Sequence, residues 1–202
     1  MTKQNLKMAF VHNTFVEYRT TVFEKLSSHY NVDFFFERFD SSLFNRRSTF
    51  KFQFLRNFKV NKSYSFSPFL FFHLLNGKYN LFVAGAIGEL NTYVTFFVSR
   101  LMRKPFIFWD EDWYWTCTKW KQLVWSSILY TINKSEAILV PGSKSKKFFL
   151  SINPLLKRKI FIAPNVSILP QNQSIRRKAN DIRKALKLDG KKVVLYLSLI
   201  HI

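Results

Sequence analysis

Short apolar runs that alternate with helix-type segments constrain the fold of this chain more than any other feature. The runs are MAFV (8–11), VDFFF (32–36), LFVAG (81–85), PFIFW (105–109), AILVP (137–141) and KIFIAPN (159–165). Between them, apolar residues recur at helical spacing, as in Val22, Phe23, Leu26 and Tyr30. Near-continuous apolar strands separated by helices are typical of a parallel sheet covered on both faces. We therefore predict an α/β fold with a doubly wound, Rossmann-like parallel sheet.

Local signals add boundaries to this pattern. The alternation of apolar and polar residues over Phe50–Leu55 predicts a half-exposed strand. Ser67 followed by Pro68 predicts a helix start, and Gly77 its end. Asn91 is a candidate cap of a later helix, and Ser143 is predicted to open another, through about residue 151. Trp120, Leu123, Val124 and Ile128 predict one helix between them.

The last fifth of the chain differs in composition from the rest. Residues 171–188 are polar, basic and compatible with a helix, and Ser167–Asp181 is also typical of a linker. KKVVLYL (191–197) predicts one more strand. We therefore predict a first domain over residues 1–170, followed in 171–202 by a linker and the first strand of an incomplete second domain.

Charge narrows the possible partners. The chain has 32 Lys and Arg residues against 12 Asp and Glu, which gives a formal net charge of +20. Such a charge favours a polyanionic neighbour: nucleic acid, an anionic membrane face or a phosphorylated substrate. The single cysteine, Cys117, excludes an internal disulfide, and the most apolar stretch, Ser67–Leu75, is far shorter than the roughly 20 residues of a membrane span. We expect a cytoplasmic protein, with peripheral attachment to the inner membrane face left open.

Polar residues and glycines follow several of the predicted strands. In a doubly wound sheet the carboxyl ends of the strands share one edge, so these residues are expected to line one cleft. The candidate catalytic residues are Asp110, Glu111 and Asp112, and the candidate substrate-binding residues are His12, Asn13, Glu17, Arg19, Gly85, Gly88, Glu89, Trp113 and Asn165.

Each candidate has a functional and a purely structural interpretation. One of the three carboxylates could orient or deprotonate a hydroxyl group, or all three could belong to a solvated loop. His12 and Asn13 could bind a ligand or stabilise a turn, and Glu17 and Arg19 could line the cleft or pair with each other. The aromatic residues Trp113, Tyr114 and Trp115 could stack on the apolar face of a ligand ring or fill a loop.

Two further features stay open at this stage. A basic region (Lys144, Lys146, Lys147, Lys157, Arg158, Lys159) could dock on anionic lipid or form a solvated helix face. The apolar stretch Phe66–Leu75 could dip into a membrane interface or pack in the core. The loop AGAIGEL lacks the G-x-G-x-x-G dinucleotide pattern, and the sequence has no cluster of His and Cys typical of a metal site.

The order of these segments resembles the N-terminal, acceptor-side domain of family-4 GT-B fold glycosyltransferases. The stretches that carry the resemblance are AFVHNTFVEYRTTVFEKLSSHYNVDFFF, YNLFVAGAIGELNTYVTFFVSRLMRKPFIFWDEDWYW and EAILVPGSKSKKFFLSIN with KRKIFIAPNVS. KKVVLYL resembles the first strand of the nucleotide-binding domain. The resemblance implies one half of a GT-B architecture and transfer of a sugar from a nucleotide-sugar donor to a glycan or lipid-linked acceptor. It also implies retention of the anomeric configuration and no metal or other cofactor, and it places Asn165 near the interdomain hinge.

The chain departs from the pattern of that family in two places. Val166 stands where a Gly usually follows the Asn, and Ser198 and Leu199 stand where a Gly-Arg loop is expected. We therefore expect a truncated gene in which residues 198–202 are foreign, and a fragment that is itself inactive. The alternative from another class is a basic nucleic-acid-binding module, which aromatic residues interleaved with Lys and Arg over Phe50–Lys59 favour.

Overall fold

The structure is a computed structural model that describes residues 5–16, 19–39, 49–59, 65–114, 119–165 and 173–194. The strands are β1 Lys7–Phe15, β2 Asn31–Phe39, β3 Phe52–Phe54, β4 Phe58–Lys59, β5 Ser65–Phe66, β6 Leu81–Gly85, β7 Phe106–Trp109, β8 Ala137–Val140 and β9 Ile160–Ile162. The helices are α1 Thr20–His29, α2 Pro68–Asn76, α3 Leu90–Leu101, α4 Lys119–Leu123, α5 Trp125–Lys134, α6 Ser143–Ile152 and α7 Gln173–Ala185, with a 3-10 helix over Pro154–Arg158.

Across the described ranges, seven strands form one parallel sheet in the order β3-β2-β1-β6-β7-β8-β9. The chain moves outward from β1 to β3 and then returns to place β6 on the other side of β1. Val11 therefore pairs with Phe35 on one side and with Ala84 on the other. This reversal is a topological switch point, and the predicted doubly wound α/β fold is confirmed.

Apolar side chains pack on both faces of the sheet. On the first face, α1 lies over an aromatic cluster in which the Phe23 ring contacts Phe10, Phe34 and Phe36 at centroid distances of 5.0–5.6 Å. On the second face, α2, α3, α5 and α6 contribute buried residues such as Leu70 and Phe149. Burial of one such large apolar side chain stabilises the fold by about 1.5–3 kcal/mol. Of the 24 phenylalanines in the chain, the structure shows 12 buried in these two layers.

The helix boundaries match the sequence signals in part. Ser67 is the N-cap of α2, Pro68 lies in its first turn and Gly77 follows its last residue, as predicted. The prediction that Asn91 caps a helix is wrong, because Glu89 is the N-cap of α3. Asn91 instead lies buried inside α3, where its Oδ1 accepts a hydrogen bond from the Ser67 backbone N–H at 3.0 Å. Its short amide side chain serves a tertiary contact rather than the helix end.

Two later segments also differ from the sequence prediction. The single helix expected around Trp120–Ile128 is divided into α4 and α5, with Val124 as the N-cap of α5. Helix α6 begins at Ser143 as predicted, with Gly142 as its N-cap.

The chain divides into two compact units, Met1–Ser167 and Ile168–Ile202. In the second unit, α7 occupies residues 173–181 of the predicted linker, because Ile, Ala, Arg and Lys there favour a helix. Residues 191–194 have no regular structure, and 195–202 lie outside the described residues, so the final strand and its assignment to a second domain stay predictions. Among the described helices, none is both long and apolar enough to cross a membrane.

Candidate functional site

A cleft of about 350 Å³ lies where β1, β6 and β7 end, at the switch point of the sheet. It brings together seven of the predicted residues, His12, Asn13, Arg19, Gly88, Asp110, Glu111 and Asp112, and adds Lys121 from α4. Because all three strands are parallel, their carboxyl ends reach the same rim, which is why residues nearly 100 positions apart meet here.

Arg19 is the central side chain of this cleft. It is 4% exposed and precedes α1, where its Nη1 lies 2.7 Å from His12 Nε2 and its Nη2 donates to Glu111 Oε1. The guanidinium also lies over the Trp109 ring, 5.3 Å from its centroid. The predicted alternative, a pair with Glu17, falls outside the described residues. Arg19 thus connects the loop after β1 with the loop after β7.

The Arg19 contact also sets the state of His12. Since a guanidinium only donates hydrogen bonds, His12 Nε2 must be the accepting nitrogen, and the neutral ring carries its proton on Nδ1. A contact of 3.4 Å between Thr14 N and Nδ1 is too long to decide the tautomer. Burial, together with the Arg19 charge, lowers the pKa of His12 to about 3. His12 is therefore neutral at physiological pH.

Asp110 connects two loops of the rim. It is 2% exposed, and its Oδ2 accepts from the Ile87 backbone N–H while its Oδ1 accepts from the Asp112 backbone N–H, both at 2.7 Å. Burial and the neighbouring Asp112 raise the pKa of Asp110, and the two N–H donors oppose that rise. With both oxygens engaged, this carboxyl group holds the loop after β6 against the loop after β7.

Glu111 and Asp112 are the carboxylates that open toward solvent. Glu111 Oε1 binds Arg19 and also accepts from Asn165 Nδ2 at 3.0 Å, so Asn165, after β9, reaches the cleft through Glu111. Asp112 Oδ2 lies 3.9 Å from Lys121 Nζ, and burial raises the pKa of Asp112, an effect that Lys121 opposes. A carboxylate with a raised pKa and an open face can accept a proton or a hydrogen bond from a ligand hydroxyl.

Sequence reasoning missed Lys121. In this segment the apolar residues at helical spacing predicted a packed helix face, and Lys121 is not one of them. Lys121 lies on the side of α4 that faces the loop after β6. A Cβ built on Gly88 would lie 3.8 Å from Lys121 Cε, so Gly88 keeps this part of the cleft open. The one sequence signal for a place of Lys121 in the cleft is its position shortly after the three carboxylates in the chain.

Of the remaining predicted residues that the structure describes, Gly85, Glu89, Trp113 and Asn165 are not part of the cleft lining. A Cβ at Gly85 would collide with the backbone oxygen of Trp109 on the paired strand, so this glycine permits close strand contact. Trp113 is exposed, and its ring contacts Tyr114 edge-on at 4.7 Å. Trp115 lies outside the described residues.

Glu89 belongs to a neighbouring polar cluster. Its Oε1 binds Arg38 Nη2 at 3.3 Å, and its buried Oε2 lies near Glu37. Burial, followed by the Glu89 charge, raises the pKa of Glu37 to about 8. Over the described residues, no group of three or more His, Cys, Asp or Glu side chains is placed to hold a metal ion.

Comparisons with known proteins identify the fold. No family model matches the chain, and no curated protein is similar in sequence. Many solved structures are similar in fold, among them the following three. Anabaena HepE in complex with UDP has a TM-score of 0.64 and 11% identity over 91% of this chain and 50% of that one. The UDP-glucose complex of HepE has a TM-score of 0.60 and 10% identity over 92% and 51%. A UDP-N-acetylglucosamine 2-epimerase has a TM-score of 0.55 and 13% identity over 80% and 49%.

At these identities the likeness establishes the fold alone. This chain spans about half the length of each of these structures. It therefore has a Rossmann-like α/β fold similar to that of one half of each of these structures. The two HepE structures contain UDP-glucose and UDP, and the third structure is a UDP-N-acetylglucosamine 2-epimerase.

Proposed function

We propose that this chain supplies the acceptor side of a glycosyltransferase that moves a sugar from a nucleotide-sugar donor to a glycan or lipid-linked acceptor. The observation that carries the proposal is the open carboxylate of Asp112, at the switch-point cleft, beside the buried cations Arg19 and Lys121. The fold shared with HepE bound to UDP-glucose supports a donor of the nucleotide-sugar class.

The three carboxylates have separate roles in this proposal. Asp110 fixes the two loops through its backbone contacts, and Glu111 is held by Arg19 and Asn165. Asp112 keeps an open face, and it orients the reacting hydroxyl of the acceptor. Positioning of this kind removes much of the entropic barrier between two reactants.

In the proposed transfer, one bond forms and one bond breaks at the anomeric carbon of the donor sugar. The acceptor oxygen forms a bond to the anomeric carbon of the donor sugar, and the bond between that carbon and the terminal phosphate oxygen breaks. The nucleoside diphosphate leaves with the electron pair, and the hydroxyl proton passes to Asp112, whose raised pKa favours this acceptance. Lys121, 3.9 Å from Asp112, holds the carboxylate in its charged form until the proton arrives.

Two neighbouring groups complete the acceptor subsite. His12 is neutral and half-buried beside Trp109, with ring centroids 5.7 Å apart, so it gives the subsite a polar wall that carries no charge. Trp113 follows Asp112 directly and is exposed, and its ring provides an apolar face on which a pyranose can stack.

Glycan binding by the isolated chain tests the proposal. We expect saturation-transfer NMR with a panel of neutral oligosaccharides to identify at least one that binds, and Asp112→Asn to weaken that binding about tenfold, the effect of losing one charged hydrogen bond of about 1.5 kcal/mol. Asp181→Asn, on the exposed surface of α7, is the matched control and should bind like the parent. Equal binding by both variants, or no binding by any oligosaccharide, contradicts the proposal.

Donor binding provides a second arm of the same experiment. In the proposal, the donor belongs mainly to a second half of the enzyme, so UDP-glucose should bind this chain more weakly than the acceptor. A UDP-glucose affinity that exceeds every glycan affinity and depends on Arg19 and Lys121 would assign the cleft to the donor and overturn the acceptor-side assignment.

A further inference from the structure

A groove of about 640 Å³ lies between α2 and the edge strand β3. It opens toward the amino ends of β1 and β2, whereas the candidate active-site cleft lies at their carboxyl ends. Its walls are aromatic, and two of the rings, Phe69 and Phe72 on α2, are exposed by 50% and 60%. Monomeric proteins in water seldom expose neighbouring aromatic rings of this size, and an exposed apolar patch usually marks an interaction site.

The apolar surface continues from the groove onto α3. Phe71 contacts the Phe72 ring at 5.5 Å and stacks on the Phe97 ring at 6.4 Å. Phe97 and Leu101, one helical turn apart on α3, are both more than half exposed. Phe69, Phe72, Phe97 and Leu101 therefore form one surface, which we call the aromatic face.

Positive charge surrounds the aromatic face. Neither α2 nor α3 contains an Asp or a Glu, and the exposed basic residues Lys51, Lys78 and Arg103 lie at the end of the groove or just beyond the two helices. Two acidic residues close to this edge are neutralised, since Asp33 pairs with Lys7 at 3.4 Å and Glu136 pairs with Arg100 at 2.7 Å.

This combination matches the interface of an anionic bilayer. Aromatic rings are favourable at headgroup depth, and Lys and Arg beside them gain from the negative surface potential of the membrane. A second copy of the chain fits less well, because association would bring two basic rims and two charges of +20 together.

We propose that the aromatic face docks this protein on the surface of an anionic lipid bilayer. The proposal goes beyond the sugar-transfer function and does not depend on it. It also places the contact on α2 and α3 rather than on the lysines of α6, because Lys144 of α6 lies over the exposed Trp113 ring, 5.5 Å from its centroid, directly beside the candidate active-site cleft. The docked protein rests on the helix layer and leaves the cleft on a different edge of the sheet.

Vesicle sedimentation of the full chain tests the proposal. We expect binding to vesicles of phosphatidylcholine with phosphatidylglycerol and little binding to phosphatidylcholine alone. Phe72→Ser combined with Phe97→Ser should reduce the bound fraction at least fivefold. Leu155→Ser combined with Phe161→Ser removes two apolar side chains elsewhere that are also more than half exposed, and it should bind within twofold of the parent.

A second pair of variants separates the contribution of the basic residues beside the aromatic face from that of the net charge of the chain. Lys78→Gln with Arg103→Gln and Lys144→Gln with Lys147→Gln each remove two positive charges, and only the first should reduce binding by fivefold or more. Equal losses in the matched pairs, or equal binding to both vesicle types, would overturn the proposal. So would light scattering that shows a dimer of the parent which Phe72→Ser with Phe97→Ser dissociates, because a second copy would then cover the face.

Discussion

At the scale of single residues, burial decides what each charged group in the cleft can do. Arg19 and Asp110 are buried and hold the loops of the cleft, Arg19 through His12 and Glu111 and Asp110 through two backbone N–H groups. Asp112 and Glu111 keep an open side. The sequence predicted where the carboxylates gather, because all three follow an apolar strand. It could not divide their roles, because that division depends on backbone N–H groups of Ile87 and Asp112 that no side-chain pattern reveals.

Removing the charge of Glu111 tests the pair with Arg19. Glu111→Gln leaves a buried guanidinium with His12 and Trp109 but without its carboxylate, so we expect the free energy of unfolding to fall by about 1–3 kcal/mol. Urea denaturation measures the change, with Asp181→Asn as the exposed control. A variant as stable as the control would show that the pair contributes nothing.

Glu37 predicts a particular dependence of stability on pH. Its folded pKa of about 8 lies above the ordinary value of 4.5, so between these values the folded chain retains a proton that the unfolded chain has lost. The contribution of Glu37 is therefore fully present below pH 4.5 and declines as the pH rises toward 8, by roughly 2–4 kcal/mol in all.

Glu37→Gln should remove this decline, because the amide stays neutral. We expect the variant to lose less stability than the parent between pH 5 and pH 8 in chemical denaturation, while Glu24→Gln in α1 follows the parent. Parallel curves for Glu37→Gln and the parent are the result that would reject a raised pKa of Glu37 in the folded chain.

At the scale of elements, contacts between strands and helices account for both the successes and the errors of the sequence prediction. LFVAG and AILV stand out as apolar runs, and β6 and β8 fall within them. Asn91 shows why local signals fail, since its amide binds Ser67 from another element. No Gly or Pro marks the break between α4 and α5 at Val124. Because Val is also found in helix interiors, its presence did not indicate a helix end.

Gly85 tests the close contact of β6 with β7. Its Cβ would meet the Trp109 backbone oxygen, and a backbone atom of a paired strand cannot swing away as a side chain can. We expect Gly85→Ala to lower the free energy of unfolding by about 1–3 kcal/mol. Gly88→Ala is the control, because the nearest atom to a Cβ built there is Lys121 Cε at 3.8 Å, an ordinary van der Waals contact. It should change stability by no more than about 0.5 kcal/mol, and equal effects at both positions would contradict the contact.

At the scale of the whole molecule, the net charge and the cleft are expected to bind different ligands with different dependence on salt. The charge of +20 gives the chain a general affinity for polyanions, which falls steeply with salt, whereas a neutral glycan should bind independently of salt. We expect fluorescence anisotropy to show weak single-strand DNA binding that is lost between 50 and about 200 mM NaCl. Tight binding that survives this range would favour the nucleic-acid-binding alternative.

The central claim is that the loops after β1, β6 and β7 form one binding site for a sugar acceptor. Amide chemical-shift mapping of the chain, titrated with the oligosaccharide that binds, tests it directly. We expect the perturbed amides to cluster at residues 12–19, 86–89 and 110–114. Shifts confined to the α2 groove, or spread along the lysines of α6, would contradict it.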